Sequence, residues 1–442
     1  MAVATSHDAG LLRICTAGSV DDGKSTLIGR LLHDSRSVYE DQILSVEKAS
    51  KNRNAGPIDF SLFTDGLKAE REQGITIDVA YRYFATNRRK FILADTPGHE
   101  QYTRNMATGA STADLAILLV DARNGVRTQS RRHARIARLL GITDFVLAIN
   151  KMDLVGFDRD VFEKIRDDFD ELLQGASVHA IPMSALNGDN VITMSEQTPW
   201  FEGPPMLEYL ETVRVHRDMT SSSFRFPVQM VLRPDHEFRG YAGQIVSGTV
   251  RVGDAITALP SGRTAHVKRI VTFDGDLDMA FAPMSVTLTL DDEIDISRGD
   301  VITRDVPPSA GQKFEADVVW MDERPLDPSR LYLLKHATRW VTAEISHPLV
   351  LNQIGTVQVS TARPLVFDRY GQNRGTGSFI LVDPATHFTC GAGMITEAVR
   401  ETATVHTAPL SFAERLAQLA RRASSDEEAA EAVRKALEEM LT

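Results

Sequence analysis

The chain has little cysteine, no long apolar run and no excess of positive charge. Its 442 residues include two cysteines, Cys15 and Cys390, which lack metal-ligand spacing and fit a reducing cytosol. The sequence contains no apolar run of membrane-spanning length and, at its start, no signal of the secretory type. The net charge of −11 gives no excess of positive charge that would favour binding of free nucleic acid. We therefore expect a cytoplasmic protein with neither a membrane nor a nucleic acid as its partner.

A phosphate-loop motif is the most informative segment present. Residues 18–25 read Gly-Ser-Val-Asp-Asp-Gly-Lys-Ser and fit G-x-x-x-x-G-K-[ST], between a predicted strand at 11–16 and a predicted helix at 26–32. Backbone N–H groups and the helix N-terminus would bind phosphates. Lys24 would reach the β- and γ-phosphates, and the Ser25 hydroxyl would ligate Mg²⁺. The predicted nucleotide contacts here are Gly18, Val20, Asp21, Asp22, Gly23, Lys24, Ser25 and Thr26. The alternative is a glycine turn beside an exposed lysine, which the companion motifs disfavour.

Two further segments supply candidates for hydrolysis. In Gly74-Ile75-Thr76, Thr76 would place oxygens on Mg²⁺ and the γ-phosphate and would be released when that phosphate leaves. Taken alone, this tripeptide would usually begin a strand.

The second segment, Asp95-Thr96-Pro97-Gly98-His99, follows a predicted buried strand. Asp95 would hold Mg²⁺, directly or through water, and the Gly98 N–H would contact the γ-phosphate. His99 stands where such enzymes orient water, so His99, Lys24 and Thr76 are the catalytic candidates. The alternative for His99 is a hydrogen-bonded surface histidine.

The base-selecting residues come next along the chain. In Asn150-Lys151-Met152-Asp153, the Asp153 carboxylate would accept from guanine N1–H and the exocyclic amine, which selects GTP over ATP. Asn150 would brace the loop and the Lys151 stem would cover the base. In Ser184-Ala185-Leu186 the Ala185 N–H would reach guanine O6. Five motifs in this order, each at a strand end, predict an α/β doubly wound GTPase domain.

A change in the spacing of apolar residues along the sequence divides the rest of the chain into predicted domains. From Phe224 the apolar pattern has a period of two, with turn glycines between predicted strands such as 226–232, 243–250 and 265–271. Pro307-Pro308-Ser309 separates these strands from a second group. We predict a P-loop GTPase domain at 1–216, small β-barrels at 224–308 and 309–405, and a helical tail at 406–442. The tail is either a terminal helix packed on a barrel or a docking helix for a partner.

Five segments carry a resemblance to a known family: residues 18–26, 65–81, 94–114, 368–382 and 390–395. Together with the order of the predicted domains, they resemble the translation-factor GTPases, and more closely the GTPase subunits of bacterial sulfate adenylyltransferases. The finer likeness covers nearly the whole chain, from about residue 11 to about 405. Elongation factors typically have cysteine before Pro-Gly-His, where this chain has Thr96.

The resemblance implies a GTPase whose hydrolysis of GTP drives synthesis of adenosine 5′-phosphosulfate and pyrophosphate from ATP and sulfate. The adenylyl-transfer site would lie on an ATP sulfurylase small subunit, in a heterodimer whose higher-order assembly is left open. The sequence agrees in lacking a second phosphate loop, so we expect no fused kinase activity. Arg71 or a partner arginine would be the candidate arginine finger.

Two other functions stay open at this point. One is a translation elongation factor-type GTPase that delivers aminoacyl-tRNA. The other is a nucleotide-binding scaffold without turnover, which is disfavoured because every hydrolytic position is filled.

Overall fold

The computed structural model describes residues 9–35, 46, 60–63, 78–99, 102–215, 222–235 and 238–399. The described residues through Ala398 belong to one compact unit. Three predictions lie outside the described residues: the helical tail at 406–442, the role of Thr76, and Arg71 as a candidate arginine finger.

A six-stranded sheet forms the first part of this unit. Its order is β2-β3-β1-β4-β5-β6, with β2 antiparallel to β3 and every other pair parallel. All seven residues of β4 are buried, as expected when helices cover both faces of a parallel sheet. The carboxyl ends of the parallel strands share one edge, where the predicted motifs lie. The strands are β1 Ala9–Ala17, β2 Ala80–Ala85, β3 Arg89–Asp95, β4 Leu115–Asp121, β5 Asp144–Asn150 and β6 Ser177–Pro182.

Helices cover both faces of this sheet. Alternate strand residues enter two separate cores: Ile14 packs in the core that includes Leu27 of the first helix, and Cys15 in the core that includes Ala134. None of the helices that the structure describes is long and apolar enough to cross a membrane. The helices are α1 Lys24–Asp34, α2 Thr103–Ser111, α3 Thr128–Leu139, α4 Arg159–Leu172 and α5 Met206–Thr212, with short 3-10 turns at Phe60–Phe63 and Met152–Val155.

Six of the next nine strands build the first barrel, while β9 pairs with β13 and β12 pairs with β11 at its edge. Strand β10 pairs with both β15 and β11, which closes the ring β10-β15-β7-β8-β14-β11. Alternating buried and exposed residues in β11 follow the period of two seen in the sequence. The strands are β7 Arg225–Leu232, β8 Gly240–Gln244, β9 Thr249–Arg251, β10 Ala255–Leu259, β11 Arg263–Thr272, β12 Gly275–Leu277, β13 Met279–Phe281, β14 Ser285–Leu290 and β15 Val301–Thr303.

One predicted strand of this barrel is wrong. The sequence predicts a single strand over 243–250, whereas β8 ends at Gln244 and β9 begins at Thr249. Gly248 has a φ of +76°, and a Cβ there would lie 2.6 Å from the backbone of Phe224. The chain therefore turns at Gly248 against Phe224, and extended structure cannot continue through this point.

The last six strands form a closed barrel in the order β16-β19-β18-β17-β20-β21. Its interior contains Phe314, Trp320 and Phe379. Two small barrels after an α/β domain confirm the predicted fold class. The elements are β16 Ser309–Trp320, β17 Tyr332–His336, β18 Arg339–Ile345, β19 Ile354–Phe367, the short helix α6 Arg374–Gly377, β20 Ser378–Val382 and β21 Thr389–Ala398.

The segment between β19 and β20 joins all three parts. Asp368 accepts two hydrogen bonds from the Arg225 guanidinium of the first barrel, at 2.8 and 2.9 Å, and one from Thr376 at 2.6 Å. The Tyr370 hydroxyl donates to the Leu140 carbonyl at the end of α3, at 2.8 Å. The part of the chain that resembles the family at 368–382 thus contributes an interdomain junction.

Replacing Asp368 by asparagine tests this junction. The Arg225 side chain is only 4% exposed, so Asp368→Asn leaves a buried cation without its carboxylate. Such a loss costs about 3–5 kcal/mol, and we expect the thermal unfolding midpoint to fall by roughly 5–10 °C, measured by scanning calorimetry. Glu163→Gln removes the carboxylate of an exposed pair with Arg159 and should change the midpoint little. Equal midpoints for the two variants would contradict the role of the junction.

Candidate functional site

The phosphate loop lies between β1 and α1, as the sequence predicts. Gly23 is the residue before α1, and neither a side-chain cap nor an acidic residue occupies the first turn. The first N–H groups of a helix have no partner within the helix and attract anions. Ser25 and Thr26 lie in this turn and are half-buried. The helix start therefore offers N–H donors together with the hydroxyl groups of Ser25 and Thr26.

Lys24 is the central cation of the loop. It is 7% exposed, and its ammonium donates to the carbonyls of Gly18 at 2.9 Å and Ser19 at 2.8 Å. Burial lowers its pKa, while the charges of Asp95, Asp22 and Asp21 act in the opposite direction. An anionic ligand would offset the same desolvation.

Asp95 and Gly98 lie against this lysine. Asp95 is the last residue of β3 and is 2% exposed, and its negative charge acts to raise the pKa of Lys24. A Cβ at residue 98 would overlap the Lys24 ammonium and lie 2.8 Å from the Gly18 carbonyl. The backbone of Gly98 thus passes directly over the phosphate loop, and His99 follows it half-buried.

A magnesium ion fits the donor set here. Mg²⁺ in nucleotide sites takes one or two side-chain oxygens together with phosphate oxygens and water. The Ser25 hydroxyl and the Asp95 carboxylate are hard oxygen donors on either side of Lys24. Their chemistry is compatible with the ion, with Thr76 as a third candidate outside the described residues.

Asn150 joins three loops at the sheet edge. It ends β5 and is 2% exposed. Its amide nitrogen donates to the Asp22 carbonyl at 2.8 Å, and its amide oxygen accepts from the Ala185 N–H at 2.9 Å. The bracing role predicted for Asn150 is therefore visible as two buried hydrogen bonds.

The second of these bonds differs from the prediction for Ala185. The sequence assigns the Ala185 N–H to guanine O6, whereas in the structure this N–H donates to Asn150. A buried amide oxygen requires a donor, and the Ala185 N–H supplies it. The contact of Ala185 with guanine stays a prediction, and it would require this N–H to be shared. Ser184 lies beside it, buried, and accepts from the Asn187 N–H at 3.3 Å.

Arg30 holds the same loop from α1 and is absent from the sequence predictions. Its guanidinium donates to the carbonyls of Ala185 and Leu186, each at 2.6 Å. Local sequence carries no signal for this contact because its partners lie about 155 residues away.

Asp121 forms two ion pairs beside the loop predicted to bind the base, and the sequence analysis did not identify it. It ends β4, is 2% exposed, and pairs with Lys151 at 3.0 Å and with Arg123 at 2.6 Å. Burial alone would raise its pKa, but hydrogen bonds from Arg123 and Lys151 hold it below its usual range. Lys151 also donates to the Asp21 carbonyl. An acid at the end of a buried strand is the signal that identified Asp95, and it could have found Asp121.

Asp153 lies two residues after Lys151, in the 3-10 turn Met152–Val155, and is half-buried. Its charge contributes to raising the pKa of Arg123, so it lies near the ion pairs of Asp121. The structure therefore brings together the phosphate loop, Asp95, Gly98, Asn150, Lys151 and the 184–186 loop at one edge. Thr76 is the one predicted site residue outside the described part of the chain.

Comparison with known proteins agrees with this arrangement. Residues 10–213 match the family model described as elongation factor Tu GTP binding domain, and residues 346–396 match the GTP-eEF1A C-terminal domain-like model. Sulfate adenylyltransferase subunit 1 of Bacteroides thetaiotaomicron is 54% identical over 420 residues, which cover 88% of this chain and 87% of the relative. The same-named protein of Alteromonas mediterranea is 52% identical over 421 residues, with 90% and 89% covered.

The chain belongs to the sulfate adenylyltransferase subunit 1 family. Among solved structures, sup35 complexed with GDP matches 88% of the chain and 94% of its own length at 22% identity, with a TM-score of 0.39. That score is too low for an element-by-element comparison.

The approach of Gly98 to Lys24 gives a direct prediction. In Gly98→Ala the new Cβ would overlap Lys24 and press on the backbone of residues 18 and 19. Because displacing reacting groups by about 1 Å costs on the order of 10²-fold in rate, we expect GTP turnover to fall by about that factor. Gly10→Ala is the matched control, since a Cβ there has no atom within 4 Å. Turnover equal to that of the parent in Gly98→Ala would contradict the assignment.

Asp22 gives a prediction about pH. Its carboxylate is 2% exposed and accepts from the Ser19 N–H at 2.6 Å, and burial raises its pKa from 3.8 to about 6. Between these values the folded state binds more protons than the unfolded state, so this group's contribution to stability falls as pH rises. Asp22→Asn retains an acceptor and carries no charge. Without nucleotide, the thermal midpoint of Asp22→Asn minus that of the parent should therefore increase as the pH is raised from about 4.5 to 7.

The control for this experiment is Asp21→Asn, which changes an exposed carboxylate one residue earlier. We expect its midpoint to follow the parent across the same pH range. A constant difference between Asp22→Asn and the parent at all pH values would refute the raised pKa.

Proposed function

We propose that this chain hydrolyses GTP and that hydrolysis drives formation of adenosine 5′-phosphosulfate and pyrophosphate from ATP and sulfate on a partner subunit. The observation that carries the proposal is identity above 50% over about nine-tenths of the chain with relatives named sulfate adenylyltransferase subunit 1. The geometry adds a buried lysine in a phosphate loop directly beneath the Gly98 backbone.

The phosphates would bind at the start of α1. When nucleotide binds, the Lys24 ammonium would give up its hydrogen bonds to the loop carbonyls and donate to the β- and γ-phosphates instead. Ser25, Asp95 and Thr76 would hold Mg²⁺, which when bound neutralises charge that develops on the phosphates. The Gly98 N–H would contact the γ-phosphate, since the Gly98 backbone lies beside Lys24.

The base would bind between the Lys151 stem and the 184–186 loop. The bonds of Lys151 to the Asp21 carbonyl and the Asp121 carboxylate fix that stem beside the phosphate loop. Asp153 would accept the two guanine donors that adenine does not offer in this arrangement. The proposed specificity is therefore for GTP and GDP.

Hydrolysis would depend on His99. The backbone of Gly98 lies over Lys24, and His99 is the next residue in the chain. We propose that His99 orients the attacking water and that Lys24 and Thr76 stabilise the γ-phosphate. An arginine finger would come from Arg71 or from the partner.

The partner would be the ATP sulfurylase small subunit, which holds the adenylyl-transfer site. The term subunit 1 in the names of the relatives implies a second subunit. A heterodimer and a cytoplasmic location belong to this proposal. The domain limits 1–216, 224–308, 309–405 and 406–442 also stay proposals.

The alternative is delivery of aminoacyl-tRNA as a translation elongation factor. The match of residues 10–213 to the elongation factor Tu GTP binding domain fits both functions, because it covers the nucleotide domain alone. The names of the full-length relatives favour sulfate activation. Co-purification distinguishes the two: the first function predicts the small subunit, and the second predicts tRNA.

His99→Ala tests the coupling between hydrolysis and synthesis. We expect the variant to bind GTP and the small subunit, and to hydrolyse GTP about 10²-fold more slowly, since positioning one water typically supplies that factor. If hydrolysis drives synthesis, adenosine 5′-phosphosulfate should accumulate only to the low level allowed without GTP. The measurement is product formed from ATP and sulfate by the purified complex.

His347→Ala is the control, because His347 is exposed in the second barrel and bonds only to its neighbour Ser346 among the described residues. It should form product as the parent does. Normal product from His99→Ala without GTP cleavage would disprove the coupling.

A further inference from the structure

A groove runs between the carboxyl ends of α3 and α4 and the second barrel. Its volume is about 780 Å³. Leu139 and Leu172 form its wall on the nucleotide-domain side, and Tyr370 and Met394 form its wall on the barrel side. We call it the arginine groove because its other lining residues include Arg135, Arg138 and Arg369.

The charge of this groove is opposite to that of the chain. Three arginines and one acid, Asp317, are the charged groups that line it, and Glu397 pairs with Arg369 at 2.7 Å. The balance of these five groups is 3 − 2 = +1, whereas the whole chain has −11. Helix α3 contains four arginines and no acid, while α4 contains six acids and three basic residues. Asp317 accepts a hydrogen bond from Thr356 at 2.6 Å. The cationic part of the groove is therefore its α3 side, beside the apolar side chains of Leu139 and Leu172.

The arginines are available to a ligand. Arg135 is exposed and forms no ion pair with another described residue. Arg138 donates one N–H to the Leu173 carbonyl at 3.1 Å, which fixes its guanidinium and leaves its other donors. Arg369 pairs with Glu397 at 2.7 Å, but both side chains are more than half exposed, and such pairs contribute little.

We propose that the arginine groove binds an acidic segment of the small subunit, with carboxylates on the arginines and apolar side chains against Leu139 and Leu172, which are half-buried. This inference rests on the proposed function, because it takes the small subunit as the partner. Charge complementarity to the α3 arginines supplies the acidic character of the segment, and the two leucines favour a polypeptide over a small anion. A charge balance of +1 is small for a nucleic acid site, where proteins commonly neutralise several phosphates.

The site would also clamp two parts of the chain. Arg135 and Arg138 belong to α3, while Arg369 and Tyr370 belong to the segment after β19. A segment bound in the groove would contact both, beside the bond from Tyr370 to Leu140. Its binding would therefore oppose separation of the nucleotide domain from the second barrel.

Charge reversal at Arg135 tests the proposal. The purified small subunit from the same organism is titrated into the full-length chain at about 50 and 300 mM NaCl, with affinity measured by calorimetry. We expect Arg135→Glu to weaken binding by at least about tenfold at low salt and by less at high salt, because opposed charges are screened. Arg135→Lys should bind within a few-fold of the parent. GTP turnover without the small subunit should be unchanged in both variants, which confirms folding.

Arg159→Glu is the matched control, since Arg159 is exposed at the other end of α4 and is absent from the groove. It should bind the small subunit as the parent does. If Arg135→Glu also binds as the parent does, the inference fails while the proposed function stands. If the parent chain does not bind the small subunit, both fail. Binding of labelled tRNA that Arg135→Glu abolishes, with small-subunit affinity unchanged, would also overturn the inference.

Discussion

The two hydrogen bonds of the buried Asn150 amide are the constraint on which the nucleotide site depends. They connect the end of β5 to the phosphate loop through Asp22 and to the 184–186 loop through Ala185. Because the amide has no access to water, losing either partner leaves a buried polar group unpaired, at a cost of about 1–3 kcal/mol. The three loops therefore hold one another, and neither the phosphate half nor the base half of the site forms independently.

The charged side chains around this amide are largely excluded from water. Lys24, Asp22, Asp95 and Asp121 are each less than a tenth exposed. Their burial is tolerated where partners compensate, as for Asp121 between Lys151 and Arg123, and is costly where they do not, as the raised pKa of Asp22 shows. The buried His133 of α3 has its pKa lowered to about 3 by burial and by Lys24, so it is neutral near pH 7. Among these four groups only Lys24 is a cation, so an anionic phosphate would compensate its burial, whereas the carboxylates require cationic partners.

Sequence reasoning predicted the parts of this site that depend on short segments. The phosphate loop follows β1, the acid Asp95 ends β3 and Asn150 ends β5, and the sheet brings them together as expected. Sequence reasoning missed Arg30 and the bond from the Ala185 N–H to Asn150, because both depend on partners far away in the chain. The strand predicted over 243–250 failed for the same reason: its turn at Gly248 is imposed by close approach to Phe224. The Arg225–Asp368 pair, 143 residues apart, likewise has no local signature.

Helix α3 connects the two regions that this chain must coordinate. Along its length, Ala134, Ile136 and Ala137 pack in the core between the helix and the sheet. Just beyond its end, the Leu140 carbonyl accepts the Tyr370 hydroxyl of the second barrel. Twelve residues of α-helix span about 18 Å, so one continuous element connects the packing on the sheet to the bond with the barrel. Rotation of the nucleotide domain away from the second barrel must therefore break the Tyr370 bond or shift α3 on the sheet. The position of the second barrel is consequently linked to the packing of the nucleotide domain through one helix.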